Sequence, residues 1–299
     1  MKNTLIYIFK KIVLVVVISS FFYGCVDVKQ RKTFYETGEL KSISIYDQNG
    51  LKNGIYKEYY KTGSIKVVEN YENGSLIDTS AYYNENGIKN SEFIYSPNKL
   101  PFFKKYYPNG QIGQEGYIMN DTTLIGWWNF YSESGYLDSK INYVDPKGYL
   151  EIKDEINWDI EKYIAKFPHI NESIFYRQDG TIINEKSNFF NLYMEDTLTD
   201  DSKAWAFIEL TPQVAKTTDY YEVFYWQEDT KGKVAHIDST IQKLNKPAVL
   251  KLDKQIKGNM YLKGFILEQG IYPDGNNKNN DSSSVYSKIM FFERYYYSL

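Results

Sequence analysis

Apolar and polar residues alternate over much of the first half of the chain, and short polar segments interrupt the alternation at regular intervals. Residues 41–46, KSISIY, are representative, because Ile43 and Ile45 alternate with Ser42 and Ser44. Such alternation is typical of a β-strand with one packed face and one solvent-facing side. Five segments share an aromatic pair, a polar turn and a glycine, and start 25, 23, 24 and 24 residues apart: FYETGEL (34–40), YYKTGSI (59–65), YYNENGI (82–88), YYPNGQI (106–112) and FYSESGYL (130–137). This spacing predicts an internal repeat.

Each repeat is predicted to contain two strands and two glycine turns. The glycines of the five main turns are Gly38, Gly63, Gly87, Gly110 and Gly135. A sixth copy, FYRQDGTI (175–182), starts 45 residues after the fifth, and secondary turns occur at YDQNG (46–50), YENG (71–74) and YVDPKG (143–148). Asn-Gly pairs suit tight hairpin turns because both residues tolerate positive φ; these pairs begin at Asn49, Asn73, Asn86 and Asn109.

A unit of this size cannot bury its own apolar face, so stacked hairpins that share a core are expected. In such a stack, Tyr60 and Tyr107 occupy equivalent sites and many of the paired tyrosines are packed. The polar residues that alternate with them remain in solvent.

The YY-x-x-G motif, the period and the segment GWWNFY (126–131) resemble the MORN repeat, and more closely its bacterial variant, an antitoxin-type repeat protein. The resemblance covers residues 33–148, with an echo at 175–182. It implies a sheet of stacked β-hairpins, and the antitoxin label implies a protein partner. The MORN core has Tyr-x-Gly, whereas here the glycine follows the second aromatic residue by three or four positions. The lipid binding ascribed to some MORN proteins does not carry over, because this sheet lacks a basic face.

Residues 149–172 break the repeat. Apolar residues at positions 160, 163, 164 and 167 fit one face of a helix that Pro168 ends, which predicts one short helix. We expect this helix to cap the exposed end of the repeat sheet, and binding a partner is its alternative role.

From residue 188 onward the chain again alternates, in segments that polar or proline-containing turns separate. The clearest predicted strands are Phe189–Met194, Ala204–Leu210, Tyr220–Trp226, Val234–Ile237, Ala248–Leu252, Asn259–Glu268 and Val285–Tyr296. Short aromatic strands of this kind predict an immunoglobulin-like or jelly-roll β-sandwich. The last strand is so apolar that we expect it inside a sheet, since an exposed edge of this composition promotes aggregation.

The N-terminus has the layout of a secretory signal. Three lysines, Lys2, Lys10 and Lys11, precede the apolar segment Ile12–Tyr23. At about 12 residues this segment is shorter than the roughly 20 needed to span a bilayer. A transmembrane anchor is the alternative, but it requires Lys10 and Lys11 to be buried in the membrane.

The only cysteine, Cys25, lies two residues after the end of this segment. Phe22-Tyr23-Gly24-Cys25 resembles a bacterial lipobox, and the resemblance implies a diacylglyceryl thioether on Cys25, cleavage before it and an acylated amino group. Several acyl chains hold a protein on a membrane far more firmly than one chain. Val26, rather than aspartate, follows the cysteine, which favours the outer membrane over the inner membrane of a bacterial envelope.

The predicted fold class is therefore all-β with one short helix, in five segments. These are a signal peptide (1–24), a tether (25–32), MORN-like β-hairpin repeats (33–148), a helical insertion with a final hairpin (149–182) and a β-sandwich (183–299).

Charge and residue types argue against several classes of function. Without residues 1–24 the chain has 32 basic residues (35 minus 3) and 38 acidic ones, and no basic run, which argues against nucleic acid as a partner. Only two histidines occur, His169 and His236, and no Gly-x-Ser-x-Gly elbow is present. The pair His236 and Asp238 is better explained as two polar side chains at the surface than as a metal site. Residues 274–285 resemble a calcium loop but lack its terminal acid.

No catalytic residue, metal site or cofactor is predicted, because no spacing selects a carboxylate pair from acids such as Glu115, Asp121 and Glu133. We expect a non-enzymatic, lipid-anchored envelope protein that binds a protein partner through the repeat sheet. The candidate binding surface consists of Lys61, Glu72, Gln111, Trp127 and Trp128. A glycan-binding protein that uses exposed aromatic residues, Trp127 and Trp128 among them, is the alternative.

Overall fold

The computed structural model describes residues 29–120, 123–145, 169–199, 204–211, 220–243, 246–253, 255, 257–272 and 284–299, with the backbone alone at 269–272 and 284–287. Every regular element in these ranges is a β-strand, so the all-β class is confirmed. The helix predicted within residues 157–167 lies outside the described residues, as does Cys25. No helix long and apolar enough to cross a membrane occurs in the described part of the chain.

The chain divides into two compact units, residues 1–99 and 100–299. The described part of the first unit is a sheet of antiparallel hairpins whose strands follow sequence order. Its strands are β1 (Lys29–Phe34), β2 (Leu40–Tyr46), β3 (Gly54–Tyr59), β4 (Ile65–Glu72), β5 (Ser75–Tyr83) and β6 (Lys89–Ile94). Neighbours in sequence are neighbours in the sheet because tight turns join them.

The second unit begins with further antiparallel hairpins of the same kind. Its first strands are β7 (Phe102–Tyr106), β8 (Ile112–Met119), β9 (Thr123–Tyr131), β10 (Leu137–Val144) and β11 (His169–Phe175). Although residues 145–168 separate β10 from β11 in sequence, the two strands pair antiparallel with Asn142 opposite Glu172.

The main turns share one backbone geometry, seen at the turn between β3 and β4. Tyr60 N donates to Ser64 O (2.9 Å), and Gly63 N donates to Tyr60 O (2.9 Å). The same two bonds close the other main turns, whose first residues are Tyr35, Asn84, Tyr107, Ser132 and Arg177. Within each turn only the glycine has positive φ, +85° at Gly63. This geometry is a three-residue hairpin loop with a glycine bulge.

Because the glycine fixes the turn, the aromatic pair is displaced by one residue between repeats. Tyr60 and Tyr107 are both first turn residues, so their predicted equivalence is confirmed. In the turns that begin at Asn84, Ser132 and Arg177 the aromatic pair ends one residue earlier, which explains a glycine three or four positions after the pair.

Of the four Asn-Gly pairs that begin at Asn49, Asn73, Asn86 and Asn109, only one has positive φ at both residues. Asn73 (φ 50°) and Gly74 (φ 82°) do form a two-residue turn, with Glu72 opposite Ser75. At the other three pairs the asparagine is the residue before the bulge glycine of a longer loop, and only the glycine has positive φ.

Two further sheets follow β11. Their strands are β12 (Phe189–Tyr193), β13 (Thr197–Leu198), β14 (Trp205–Thr211), β15 (Tyr220–Asp229), β16 (Val234–Lys243), β17 (Ala248–Lys251), β18 (Gly258–Tyr272) and β19 (Ser284–Ser298). The smaller sheet has the order β12-β14-β17, and the larger one has the order β13-β19-β18-β15-β16. The last strand, β19, therefore lies inside its sheet, as predicted, although β13 covers only two of its residues.

The main apolar core lies among these C-terminal strands. In β14 the alternation buries Ala206, Ile208 and Leu210. They join one cluster with buried residues of the larger sheet, such as Val223 and Tyr296. Burial of this apolar surface is the main driving force for folding of the C-terminal strands.

The last hairpin strand is tied to the C-terminal sheet by side chains. Asn171, which is 1% exposed, donates from Nδ2 to Phe291 O (2.7 Å) and accepts from Phe291 N (2.5 Å). The amide side chain thus pairs with β19 as a backbone group of a neighbouring strand would. The ring of His169 packs edge-on against Phe291 at 5.6 Å, and its Nε2 lies 2.9 Å from Ile289 O.

Candidate binding surface

The main turns lie at one end of the strands of each unit, which we call the turn edge. Where the first turn residue is tyrosine, its hydroxyl donates to a backbone carbonyl of the next repeat, 23 or 24 residues later. The pairs are Tyr35 to Tyr59 O (2.7 Å), Tyr60 to Tyr83 O (2.8 Å) and Tyr107 to Tyr131 O (2.8 Å). These bonds fix each turn against the next.

Two other side chains reinforce the turn edge. Ser64 Oγ donates to Glu85 O (2.9 Å), and Asn109 Nδ2 donates to Glu133 O (2.8 Å). Each bond again reaches the corresponding turn of the following repeat. Because loops are usually the most mobile part of a hairpin, these cross-turn bonds make the turn edge an ordered surface.

The predicted surface residues do not form one patch. Lys61 and Gln111 are exposed and lie in main turns, where the Lys61 Nζ is 5.7 Å from the centre of the Tyr35 ring. Glu72 is also exposed, but it lies at the far end of β4, beside the Asn73-Gly74 turn. An eight-residue strand is about 25 Å long, so Lys61 and Glu72 lie too far apart for one small contact.

The two tryptophans point to opposite sides of β9. Trp127 is 41% exposed, whereas Trp128 is fully buried, so the prediction that Trp128 belongs to the exposed surface is wrong. Its indole lies over Gly116, packs between Phe103 and Phe130, and donates from Nε1 to Tyr117 O (3.0 Å). Trp128 therefore serves the packing of the second unit.

Tyrosine hydroxyls bind carboxylates along the first hairpin sheet. Tyr71 donates to Glu69 Oε2 (2.7 Å) and Tyr82 donates to Glu69 Oε1 (3.1 Å). Burial, together with Glu58, raises the pKa of Tyr56 to about 12, and burial with Glu69 raises the pKa of Tyr71 further. These phenols stay protonated at neutral pH and act as hydrogen-bond donors.

A similar network lies in the second unit around Glu115. Its Oε1 accepts from Tyr131 (2.7 Å) and from Asn129 Nδ2 (3.3 Å), and its Oε2 is 4.0 Å from Lys104 Nζ. Burial and the hydrogen bond to Glu115 raise the pKa of Tyr131 to about 12. Glu115 therefore has a structural role among its neighbours.

The two histidines lie in different sheets. Burial lowers the pKa of His169, because its ring is packed between β11 and β19. His236 lies on the edge strand β16, and the neighbouring Asp238 accepts from Tyr225 instead (3.1 Å). Among the described residues, no three His, Cys, Asp or Glu side chains are grouped to hold a metal.

Sequence reasoning missed the buried polar residues between β11 and its neighbours. Glu172 accepts from Asn142 Nδ2 (3.0 Å) and from Phe190 N (3.3 Å), and burial raises its pKa. Asn171 and Asn188 are also buried. A polar run in an otherwise apolar strand, Asn171-Glu172-Ser173, is the only sequence signal for this contact.

Comparison of the chain with protein-family models gives no match, and comparison with curated proteins gives none either.

Proposed function

We propose that the protein is a non-enzymatic, lipid-anchored protein of the bacterial cell envelope that binds a protein partner through the turn edge of its hairpin sheets. The observation that supports binding is the set of tyrosine bonds between successive turns, such as Tyr60 to Tyr83 O and Tyr107 to Tyr131 O. An ordered surface loses little conformational entropy on binding, which favours affinity. Lys61 and Gln111 supply exposed polar contacts on it.

We also propose that the hairpins are MORN-like repeats, because the resemblance implies stacked hairpins with regular turns. We also propose that the two C-terminal sheets form the two layers of a β-sandwich. The support is one buried cluster that takes residues such as Ile208 from the smaller sheet and Met290 from the larger.

The anchor rests on Cys25 and on the apolar segment before it. Cys25→Ala removes the thiol that accepts the diacylglyceryl group, so we expect uncleaved precursor and no incorporation of a clickable fatty acid. The parent chain is the positive control, and Val26→Ala, one residue further, should label normally. Normal labelling of Cys25→Ala would exclude the lipoprotein interpretation.

Partner binding is tested separately, by photo-crosslinking from positions 61 and 111 in intact cells. The alternative function is glycan binding on exposed Trp127 and Trp128. Because Trp128 is buried, only Trp127 is available to contact a glycan.

A further inference from the structure

A groove of about 430 Å³ crosses β7, β8, β9 and β10 in the second unit, beside the turn edge. Its apolar lining includes Tyr107, Phe130 and Ile141, and the backbone of Gly113 forms part of its wall. A groove of this volume is within the range of small-molecule sites.

Three polar side chains of different chemistry line the groove: the ammonium of Lys105, the amide of Gln114 and the carboxylate of Asp138. None of the three makes a side-chain hydrogen bond or ion pair with any other described residue. By contrast, the carboxylates of Glu58, Glu69 and Glu115 all bind neighbouring side chains. Polar groups without a partner inside the protein are free to bind a ligand.

One of the repeats that line the groove lacks a side chain that the first two repeats have. Six residues after the first turn residue, the first two repeats carry Lys41 and Lys66, whose Nζ atoms lie 5.7 Å and 5.9 Å from the rings of Tyr35 and Tyr60. The corresponding residue after Tyr107 is Gly113.

A Cβ at Gly113 would lie 3.1 Å from the Tyr107 ring, so the ring packs against the backbone itself. In the next repeat the corresponding residue is Asp138, which places a carboxylate where two other repeats have an ammonium.

We propose that this groove binds a neutral saccharide. Sugar hydroxyls both donate and accept, so an oligosaccharide that crosses the strands from β7 to β10, about 14 Å, can donate to the Asp138 carboxylate, accept from the Lys105 ammonium and do both with the Gln114 amide. The apolar face of the sugar packs on the aromatic lining. The opposite charges of Lys105 and Asp138 balance, which favours an uncharged ligand over an anionic one.

This site differs from the exposed tryptophans of β9, because Trp127 does not line the groove and Trp128 is buried. The groove includes Tyr107 of the turn edge, but neither Lys61 nor Gln111, the residues proposed to contact the partner, lines it. Loss of saccharide binding would leave the partner proposal intact, and failure of the partner proposal would leave the groove intact.

The test is an array of neutral and anionic oligosaccharides probed with the whole chain, purified in a detergent without a sugar headgroup. Binding found on the array is then measured by calorimetric titration. We expect neutral oligosaccharides to bind, and Asp138→Ala or Gln114→Ala to weaken binding by about fivefold or more, as loss of a hydrogen bond does. Gly113→Lys, which restores the lysine of other repeats, should abolish binding.

The matched control is Asn90→Ala, because Asn90 holds the position corresponding to Asp138 in the first unit and lies outside the groove. Its affinity should equal that of the parent. If Gly113→Lys unfolds, Asp138→Asn replaces it as the test variant. This substitution removes only a charge on an exposed side chain. No binding to any neutral oligosaccharide, binding to anionic ones alone, or full affinity in Asp138→Ala would each overturn the proposal.

Discussion

Gly116 provides the space for Trp128, the largest buried side chain among the hairpin strands β7 to β11. A Cβ at this position would lie 2.5 Å from atoms of the Trp128 indole, and that ring is fully buried. Neither the ring nor the strand can move freely, because Trp128 also donates to Tyr117 O. A glycine in the middle of a strand, which normally weakens a sheet, here permits close packing.

We therefore expect Gly116→Ala to destabilise the protein by about 1–3 kcal/mol through overpacking. Urea unfolding followed by tryptophan fluorescence measures this change. The double variant Gly116→Ala with Trp128→Phe, which has a smaller ring, should recover part of the loss. Equal stability of Gly116→Ala and the parent would show that the indole does not lie over residue 116.

The tyrosine–carboxylate contacts predict a specific response to alkaline pH. Burial and Glu115 raise the pKa of Tyr131 to about 12 in the folded chain, against an ordinary value of 10.0. Above pH 10 the unfolded chain loses this proton first, so the folded chain binds more protons and its stability falls with rising pH. The contribution is complete below pH 10 and is lost as pH rises through about 12.

Absorbance titration at alkaline pH measures this directly, because phenolate absorbs at longer wavelength than phenol. We expect Tyr131→Phe to remove a phenol that ionises late. The matched variant, Tyr193→Phe, removes the phenol of an exposed side chain. If Tyr131→Phe removes an early-ionising phenol instead, Tyr131 does not bind Glu115 in solution.

At the scale of the element, the hydroxyl of the first turn residue connects one hairpin to the next. Tyr107→Phe keeps the ring on Gly113 but removes the bond to Tyr131 O, so we expect a loss of about 0.5–1.5 kcal/mol in the free energy of unfolding. Amide hydrogen exchange should also become faster in the turn that begins at Ser132. Tyr193→Phe, at the exposed end of β12, should change neither quantity. An unchanged exchange rate in Tyr107→Phe would contradict a role for the hydroxyl in ordering the turns.

Most strands could be predicted from the sequence, because alternation and turn glycines define them locally. The C-terminal segments starting at Phe189, Tyr220 and Ala248 begin where β12, β15 and β17 begin. The turn geometry was predictable only in part, since Asn-Gly suits both two-residue and three-residue loops and the strand register decides between them. Only Asn73 lies in the shorter loop.

The candidate surface was harder to predict than the strands. Alternation shows that Trp127 and Trp128 face opposite ways, but only the neighbouring Gly116 on β8 decides which one is buried. The groove likewise could not be predicted, because its lining residues come from four strands. Gly113 is recognised as the counterpart of Lys41 and Lys66 only when the repeats are aligned by their turns.

At the scale of the whole molecule, the second unit joins hairpins to the C-terminal sheets through residues far apart in sequence. Asn171 and Phe291 are 120 residues apart, and the side-chain amide of one pairs with the backbone of the other. No local pattern predicts such a contact, because its partners belong to different periodic segments. It ties the strand after the insertion to the sheet that contains the last strand of the chain.

The central claim is that a protein partner binds at the turn edge, and site-specific photo-crosslinking in intact cells tests it most directly. A benzophenone amino acid replaces Lys61, Gln111 or, as a matched exposed control on β16, Ile241. We predict that the first two positions crosslink to the same protein and that position 241 does not. Crosslinking from position 241 alone, or from none of the three positions, would contradict binding at the turn edge.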